Sequence, residues 1–457
     1  MTRSIHEVPR GGHLLIIGAA RSGLAAARLG VARGYRVSLR DDHLAPQELA
    51  ERLDGLPVEI VRESGLPVGV DLLVPSPVIP PRHPLVARAL ELGIPVHSEP
   101  DFARAWFRGS VLAVSGSNGK TTTTLLAEAV LRACGLSATA CGNVGHPFSL
   151  VALRADQPAW AVLEISSYQL ELSRCLRARC GLLLNISEDH LARHGDMEGY
   201  LEAKWRLTAQ LTPDGCLVYN GGDPLLAPRA RGLGCRVRAF RAGPGPAEAR
   251  VDGAGLWLAE QAGGPFIRAG EPRLIGAHNL ENLAAVLLAA RDLELDLTAV
   301  RRAMLDFAPV EHRIETVAER AGVRWINDSK ATNVDSTAKA LAGFPPGGVI
   351  LLAGGEAKTD DYRAVEELVL RHVRELVVYG RDGALIGDWF QGKLPVHRVA
   401  GLEGAVALAA GLAHPGDVVL LSPMCASFDQ FANFEERGLR FRDWVRALPE
   451  GGPVQRP

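Results

Sequence analysis

The chain has 457 residues, with 50 Lys and Arg against 52 Asp and Glu and a net charge of −2, which leaves no electrostatic footprint for nucleic acid or an anionic membrane. That length suits two to four domains with separate cores, and no apolar run reaches the ~18 residues of a membrane span. Seven cysteines without a CxxC pair read as reduced, scattered thiols, and the opening MTRSIHEVPR has no signal-peptide core, so a soluble cytoplasmic α/β protein is expected.

The first stretch opens with a strand, His13 to Ile17, then GAARSG (Gly18 to Gly23) and an alanine-rich helix to about Arg33. A second strand, Arg36 to Leu39, ends at Asp41 and Asp42, so acids follow the glycine turn by about twenty residues in the Rossmann manner. Ala20 replaces the middle glycine of GxGxxG, which favours a nucleotide-sugar or purely structural use over a dinucleotide. Strands at Val58 to Val61 and Asp71 to Val74 lead to the stiff loop PSPVIPPRHP, which is neither helix nor central strand. A helix (Leu85 to Leu92) and a strand (Ile94 to His97) close this part, with a boundary near Ser98.

Next comes VLAVSGSNGKTTTT, Val111 to Thr124. A short apolar strand enters Gly116 and Gly119, and an apolar-periodic helix follows Lys120 and Thr121. These are the parts of a phosphate cradle: glycines let N–H groups converge, the helix N-terminus and Lys120 add positive charge, and Thr121 can ligate Mg²⁺. The first glycine lies three residues before Gly119 rather than the five of the strict Walker pattern. An ordinary βα turn is the plainer reading, but it leaves Lys120 at the wrong end of the helix dipole unless an anion sits there. WAVLEISSYQ delivers Glu164 at a strand end, suited to a Mg²⁺ site, or else a solvated acid or the partner of an arginine. GLLLNISEDH ends in Asn185, Glu188, Asp189 and His190, suited to ligand or acid–base roles. Lys204, on a helical segment around Tyr200 to Leu211, reads by periodicity as a solvated residue. A Pro/Gly-rich, hairpin-like section (Thr212 to Gly270) precedes an amphipathic helix that begins with His278, Asn279 and Asn282, amides that read an adenine edge or simply cap the helix.

After Phe307-Ala308-Pro309 a third part begins. Its strand Val323 to Asn327 runs into Asp328, Ser329, Lys330 and Thr332; later strands are Val349 to Ala353, Glu375 to Tyr379 and Asp417 to Leu421. Strand and helix alternate, predicting a doubly wound sheet. Lys330, Thr332, Lys358, Ser422 and Ser427 follow strands, and together make an anion pocket suited to a dicarboxylate.

In this order SGSNGKTTT, LEISSYQLE, LNISEDHL, GAHNLENLAA, HRIE, WINDSKATNVDST, LLAGGEAKTDDY and LSPMCASFDQFANFEERG resemble the Mur ligase family, which builds the peptide stem of bacterial peptidoglycan by ATP-dependent amide formation. NDSKATN and the ending from Ser422 to Gly438 resemble its D-glutamate-adding branch. The resemblance implies three α/β domains: a UDP-sugar-binding Rossmann-like domain (1–98), a central P-loop-type ATP-binding domain (99–309) and a C-terminal Rossmann-like amino-acid-binding domain (310–457). It implies that D-glutamate is joined to UDP-N-acetylmuramoyl-L-alanine through an acyl phosphate, giving ADP and phosphate, with closure of the domains during catalysis. ATP would lie on Gly116, Ser117, Asn118, Gly119, Lys120, Thr121 and Thr122, with Asn282, Arg313 and Asp328 toward the rest of the nucleotide. Two Mg²⁺ sites would face Thr121, Glu164, His190 and Lys204, the last carbamylated by CO₂. The UDP-sugar would meet Arg21, Ser22, Gly23 and Asp41. Asn143 and His190 would lie near the acceptor, and Thr332, Lys358, Ser427, Phe428 and Phe434 would shape the amino-acid pocket. Lys120, His190, Lys204 and Lys330 are the expected catalytic groups. Partners would be small molecules alone, with neither nucleic acid nor membrane, and the chain a monomer. The rivals are a sister enzyme for another amino acid, a folylpolyglutamate-type synthase, and a catalytically inactive nucleotide-binding regulator.

Overall fold

The computed structural model describes residues 12–62, 65–260, 263–274, 276–308 and 310–449; the opening decapeptide and Pro309, the expected domain break, lie outside them. Two compact units result: the chain up to Arg268 with Glu281–Leu305, and Ala269–Leu280 with the chain from Asp306 onward.

The first unit holds two sheets. Strands β1 (His13–Ile17), β2 (Arg36–Arg40), β3 (Val58–Ile60) and β4 (Leu72–Pro75) are parallel in the order β3-β2-β1-β4. The strand expected at Ile94 to His97 reduces to one bridge, Val96 to Leu73. Pro95 has no N–H to give a ladder, and Ser98 already caps the next helix, Glu99–Arg104.

The second sheet comprises β5 (Ser110–Ser115), β6 (Ala138–Gly142), β7 (Trp160–Glu164), β8 (Ala178–Leu183), β9 (Leu211–Asn220), β10 (Arg236–Ala242), β11 (Ala249–Asp252), β12 (Gly255–Leu258) and β13 (Ile267–Arg268), ordered β13-β12-β11-β10-β9-β8-β5-β7-β6. The section expected to be hairpin-like extends this sheet in parallel through β9, β10 and β11; only the pairs β11–β12 and β12–β13 are antiparallel. Gly and Pro mark where a chain turns, and do not say whether it returns beside itself or crosses over. VLAVS and WAVLE carry unbroken apolar runs because both faces of these strands are covered. Strand β5 lies between β7 and β8, so the loops leaving these three strands meet at one carboxyl edge, where open α/β sheets bind ligands. The two sheets share one core: Leu14, Leu29, Phe102, Phe107, Val111, Phe148 and Leu163 pack in a single cluster.

The helix Ala277–Asp292, expected to be amphipathic, is buried at every position from Leu283 to Ala290. A helix enclosed on all sides is apolar all round.

In the second unit β14 (Glu315–Arg320), β15 (Val323–Asn327), β16 (Val349–Gly354), β17 (Val373–Tyr379), β18 (Val396–Arg398) and β19 (Val418–Leu421) are ordered β14-β15-β19-β16-β17-β18, with β14 alone antiparallel. Along β16, Val349, Leu351 and Ala353 enter one apolar cluster while Ile350 and Leu352 enter another. That alternation is the doubly wound arrangement expected.

Candidate active site

The phosphate loop is held by its neighbours rather than by its own glycines alone. Ser117 N donates to Asn185 O at 2.9 Å, and the Asn185 side chain accepts from Asn118 N and donates to Asn118 O. Ser117 Oγ donates to Ser187 O and lies 3.0 Å from Tyr200 OH. Gly119 has φ +86°, and a Cβ there would sit 2.5 Å from Asn282 Oδ1; the position needs glycine both for its backbone and for this amide. Asn282 therefore borders the loop.

Two lysines converge on this loop. Lys120 Nζ donates to Gly116 O and Ser117 O at 2.8 and 2.7 Å, and Lys204 Nζ donates to the same Gly116 O at 2.8 Å. Lys204 is not the solvated residue its helix periodicity suggested: it is 1 % exposed, and its ammonium position lies 4.6 Å from the Tyr200 ring centre. Its helix, Met197–Trp205, turns this face inward against the loop. Burial first, and then the charge of Lys120, push the Lys204 amine well below the usual lysine range, against the pull of Asp189 and Glu164. Two ammonium groups on one carbonyl repel, which adds to burial in lowering the proton affinity of Lys204.

Glu164, 1 % exposed at the end of β7, accepts from Asn143 Nδ2 at 2.8 Å, and its carbonyl accepts from Asn143 N. Thr121 is also buried, at the first turn of Lys120–Ala133. These are hard oxygen donors beside a phosphate loop, and they fit Mg²⁺. His190 differs. Its backbone is left-handed (φ 58°), its side chain is 40 % exposed, and its ring lies 3.2 Å from Tyr168 OH and 3.6 Å from Asp189. An imidazole nitrogen suits Mg²⁺ less well than oxygen.

A cleft of about 410 Å³ joins these groups to the first sheet. Its lining includes Arg21, Ser22, Asn143, His190, Lys120 and Lys204. Arg21 donates to Gly145 O in the turn that carries Asn143. Gly23 is fixed by packing, since a Cβ there would lie 1.9 Å from Gly18 O. Asp41 acts as scaffold, because its carboxylate accepts from the N–H groups of Ala19, His43 and Leu44. Burial alone would raise this carboxyl, but those three bonds outweigh it and hold it below its usual value.

Arg193 belongs to no sequence motif, yet it is central to this face. It pairs with Glu171 at 2.7 Å, stacks 4.6 Å from the Tyr168 ring, and donates to the carbonyls of Pro77, Val78 and Ile79. One guanidinium thus ties the proline loop of the first sheet to the helix that carries Tyr168. Nothing local signals this, because the carbonyl partners lie more than a hundred residues away.

The second unit gathers its own polar edge. Lys330 Nζ lies 4.8 Å from the Phe434 ring centre. Thr332 N donates to Lys330 O, and Ser427 is buried with its carbonyl accepting from Gln430 and Phe431. Asp328 accepts from Ser422 Oγ at 2.8 Å and from Ile314 N, yet burial pushes its carboxyl up to about 7. Burial first, then Lys339 and Arg313, bring His278 down to about 4. Phe428 is 69 % exposed and Lys358 is exposed, so neither is walled in by its own unit. Arg437, absent from the expected set, is fully buried and donates to Ser329 Oγ, Ser329 O, Cys425 O and Ala426 O. It fixes the loops after β15 and β19, and the FEERG run that contains it is its one signal in the sequence.

Comparison with known proteins agrees with this arrangement. The family profile for the Mur ligase middle domain matches residues 114–290, and that for the Mur ligase, glutamate ligase domain matches 312–425. A protein of Acidobacterium capsulatum named UDP-N-acetylmuramoylalanine--D-glutamate ligase is 38% identical over 96% of this chain and 97% of its own length. One of the same name from Anaeromyxobacter dehalogenans is 39% identical over 95% and 97%. Among solved structures, the MurF ligase of Thermotoga maritima in complex with ADP superposes with a TM-score of 0.61 at 17% identity, covering 98% of this chain and 97% of that one. With near full-length identity of this order, the chain belongs to the Mur ligase family.

Proposed function

We propose that this chain joins D-glutamate to UDP-N-acetylmuramoyl-L-alanine at the expense of ATP, forming ADP and phosphate in peptidoglycan precursor synthesis. The observation that carries the reading is the run of relatives bearing that name at 37–39% identity over at least 95% of the chain. We assign the three functional domains to 1–98, 99–309 and 310–457, place the reaction in the cytoplasm, and take the chain to act as a monomer. Among the described residues no helix is long and apolar enough to cross a membrane.

A carboxylate and a triphosphate repel, so phosphoryl transfer to the alanyl carboxylate needs positive charge at the loop. Lys120 supplies it by exchanging its contacts with Gly116 O and Ser117 O for phosphate oxygens. Thr121 and Glu164 would hold Mg²⁺, which supplies further charge neutralisation, and His190 borders that site. The acyl phosphate is then attacked by the neutral amine of D-glutamate; the N–C bond forms, phosphate leaves, and the amine proton passes to His190 or to the departing phosphate. Lys330, Thr332, Lys358, Ser427 and Phe434 make the dicarboxylate pocket, with Phe428 at its rim; Asn282, Arg313 and Asp328 serve the nucleotide.

The low proton affinity of Lys204 supports its carbamylation. A neutral amine adds to CO₂, forming an N–C bond and releasing one proton, and so turns a cation beside the phosphates into an anion. Arg21, Ser22, Gly23 and the Asp41-pinned turn serve the UDP-sugar, and Asn143 the acceptor.

The test is phosphate release from ATP with UDP-N-acetylmuramoyl-L-alanine, across D-glutamate, L-glutamate, L-alanine and meso-diaminopimelate, with product mass read in parallel. Release with D-glutamate alone is expected. Release with another amino acid moves the specificity to a sister enzyme, and ATP hydrolysis indifferent to the UDP-sugar overturns the ligase reading.

A further inference from the structure

Around the start of the Glu99–Arg104 helix three metal-ligating side chains meet. His97 Nδ1 lies 3.5 Å from an Asp101 carboxylate oxygen and 3.8 Å from Cys175 Sγ, and one donor atom from each residue lies within 4.8 Å of the other two. Asp101 and His97 are buried at 0 and 5 % exposure. A hydrogen-bonded relay would use the two ring nitrogens for two different partners. Here the thiol and the carboxylate both approach Nδ1, which has one in-plane position to offer, while Nε2 meets no hydrogen-bonding partner among the described residues. One oxygen of Asp101 is likewise without a partner there; the other accepts from the N–H groups of Arg174 and Cys175.

Convergence on one point is what a metal ion requires. Tetrahedral zinc, with bonds near 2.0 Å to nitrogen and oxygen and 2.3 Å to sulfur, sets its ligand atoms about 3.3 to 3.6 Å apart. The two separations from His97 Nδ1, 3.5 and 3.8 Å, are within a few tenths of that, and the carboxylate and thiol lie within 4.8 Å of each other. We propose that His97, Asp101 and Cys175 form a zinc site whose fourth position opens to water in the adjoining cleft of about 690 Å³, which His97 and Cys175 line. One nitrogen, one oxygen and one sulfur donor form a borderline set that selects zinc over Mg²⁺. Thiolate, carboxylate and neutral imidazole balance the ion's two charges.

The site has a structural consequence. His97 ends the segment that bridges to β4, Asp101 sits on the following helix, and Cys175 precedes β8. The ion therefore joins the first sheet's last segment to the second sheet, beside the buried contact of Ser98 Oγ and Ser173 Oγ at 2.9 Å. Without metal, burial and then the Asp101 charge raise the Cys175 thiol to about 12, against Arg104 and Arg177. Binding then expels one proton: S–H is exchanged for S–metal.

The test is a Co²⁺ titration of the EDTA-treated full chain in excess Mg²⁺, which saturates oxygen-ligand sites. One equivalent bound with a thiolate-to-cobalt charge-transfer band is expected, with affinity rising about tenfold per pH unit. Cys175→Ser should abolish the band, and Cys235→Ser should leave it unchanged. Zinc should raise the unfolding temperature of the wild-type chain and not that of Cys175→Ser. A titration without the band, or a band that survives in Cys175→Ser, overturns the site.

Discussion

Lys204, on the helix Met197–Trp205, and Arg437, on the helix Phe434–Ala447, are both buried basic side chains, at 1 and 0 % exposure, and they meet burial in opposite ways. Arg437 is surrounded by acceptors: three carbonyls and a hydroxyl take its fork. Its planar guanidinium matches that fork of acceptors and holds two loops together. Lys204 is given Gly116 O, an aromatic face and a neighbouring cation. A lysine so placed has its proton affinity lowered, toward the neutral amine. The difference separates a scaffold cation from a chemical one, by counting acceptors rather than by burial.

The strongest way to break that contrast is in activity. Lys120→Ala should lower kcat by about a thousandfold, the scale of losing one preorganised charge at the reacting oxygens, read as phosphate release at saturating substrates. Lys204→Met should cost about a hundredfold or more in kcat yet raise stability at pH 7 by about 1 kcal/mol, because a buried ionisable group is exchanged for an apolar one of similar volume. The sign follows from linkage. Between its lowered folded value and the ordinary 10.5, Lys204 is neutral in the folded chain and protonated in the unfolded one, so its contribution to stability rises with pH. The wild-type unfolding free energy should show that rise and Lys204→Met should lack it. A Lys204→Met protein that is active, or destabilised at pH 7, removes the chemical assignment.

Arg437→Met tests the other side. It strands Ser329 O and Cys425 O in a dry interior and should destabilise the C-terminal unit by about 3 kcal/mol, measured by urea unfolding. Arg193→Ala should be milder: with the proline loop untied, KM for the UDP-sugar should rise about tenfold while kcat changes little, a shift of about 1.4 kcal/mol. The remaining test, read through pH, belongs to Asp328. Its folded carboxyl, at about 7, lies above the ordinary 3.8, so the folded chain binds more protons between those values and stability falls as pH rises through them. Asp328→Asn should flatten that slope in pH-dependent thermal unfolding.

The sequence by itself determined the strands that are apolar on both faces and the loops that follow them. HLLII, VLAVS, WAVLE and VRWIN stand where they were expected, because short, largely apolar runs between turn residues read as buried strands. It also determined the phosphate loop and Glu164, since a glycine turn before a helix and an acid at a strand end are local patterns. The tertiary structure decided what depends on distant partners. Local periodicity made Lys204 a surface residue, and only the approach of its helix to Gly116 buries it. Arg193 and Arg437 are invisible as motifs, because they act on backbone oxygens from remote segments. Asp41, expected at the UDP-sugar, accepts from His43 N and Leu44 N in its own turn and from Ala19 N in the glycine turn after β1. The strand at Ile94 reduced to one bridge, and in the section expected to be hairpin-like the parallel run β9 to β11 precedes the antiparallel pairs β11–β12 and β12–β13, because pairing is a choice between segments. Residue type fixes what a side chain can do; the number of acceptors and the amount of water around it, which only the folded chain sets, fix what it does.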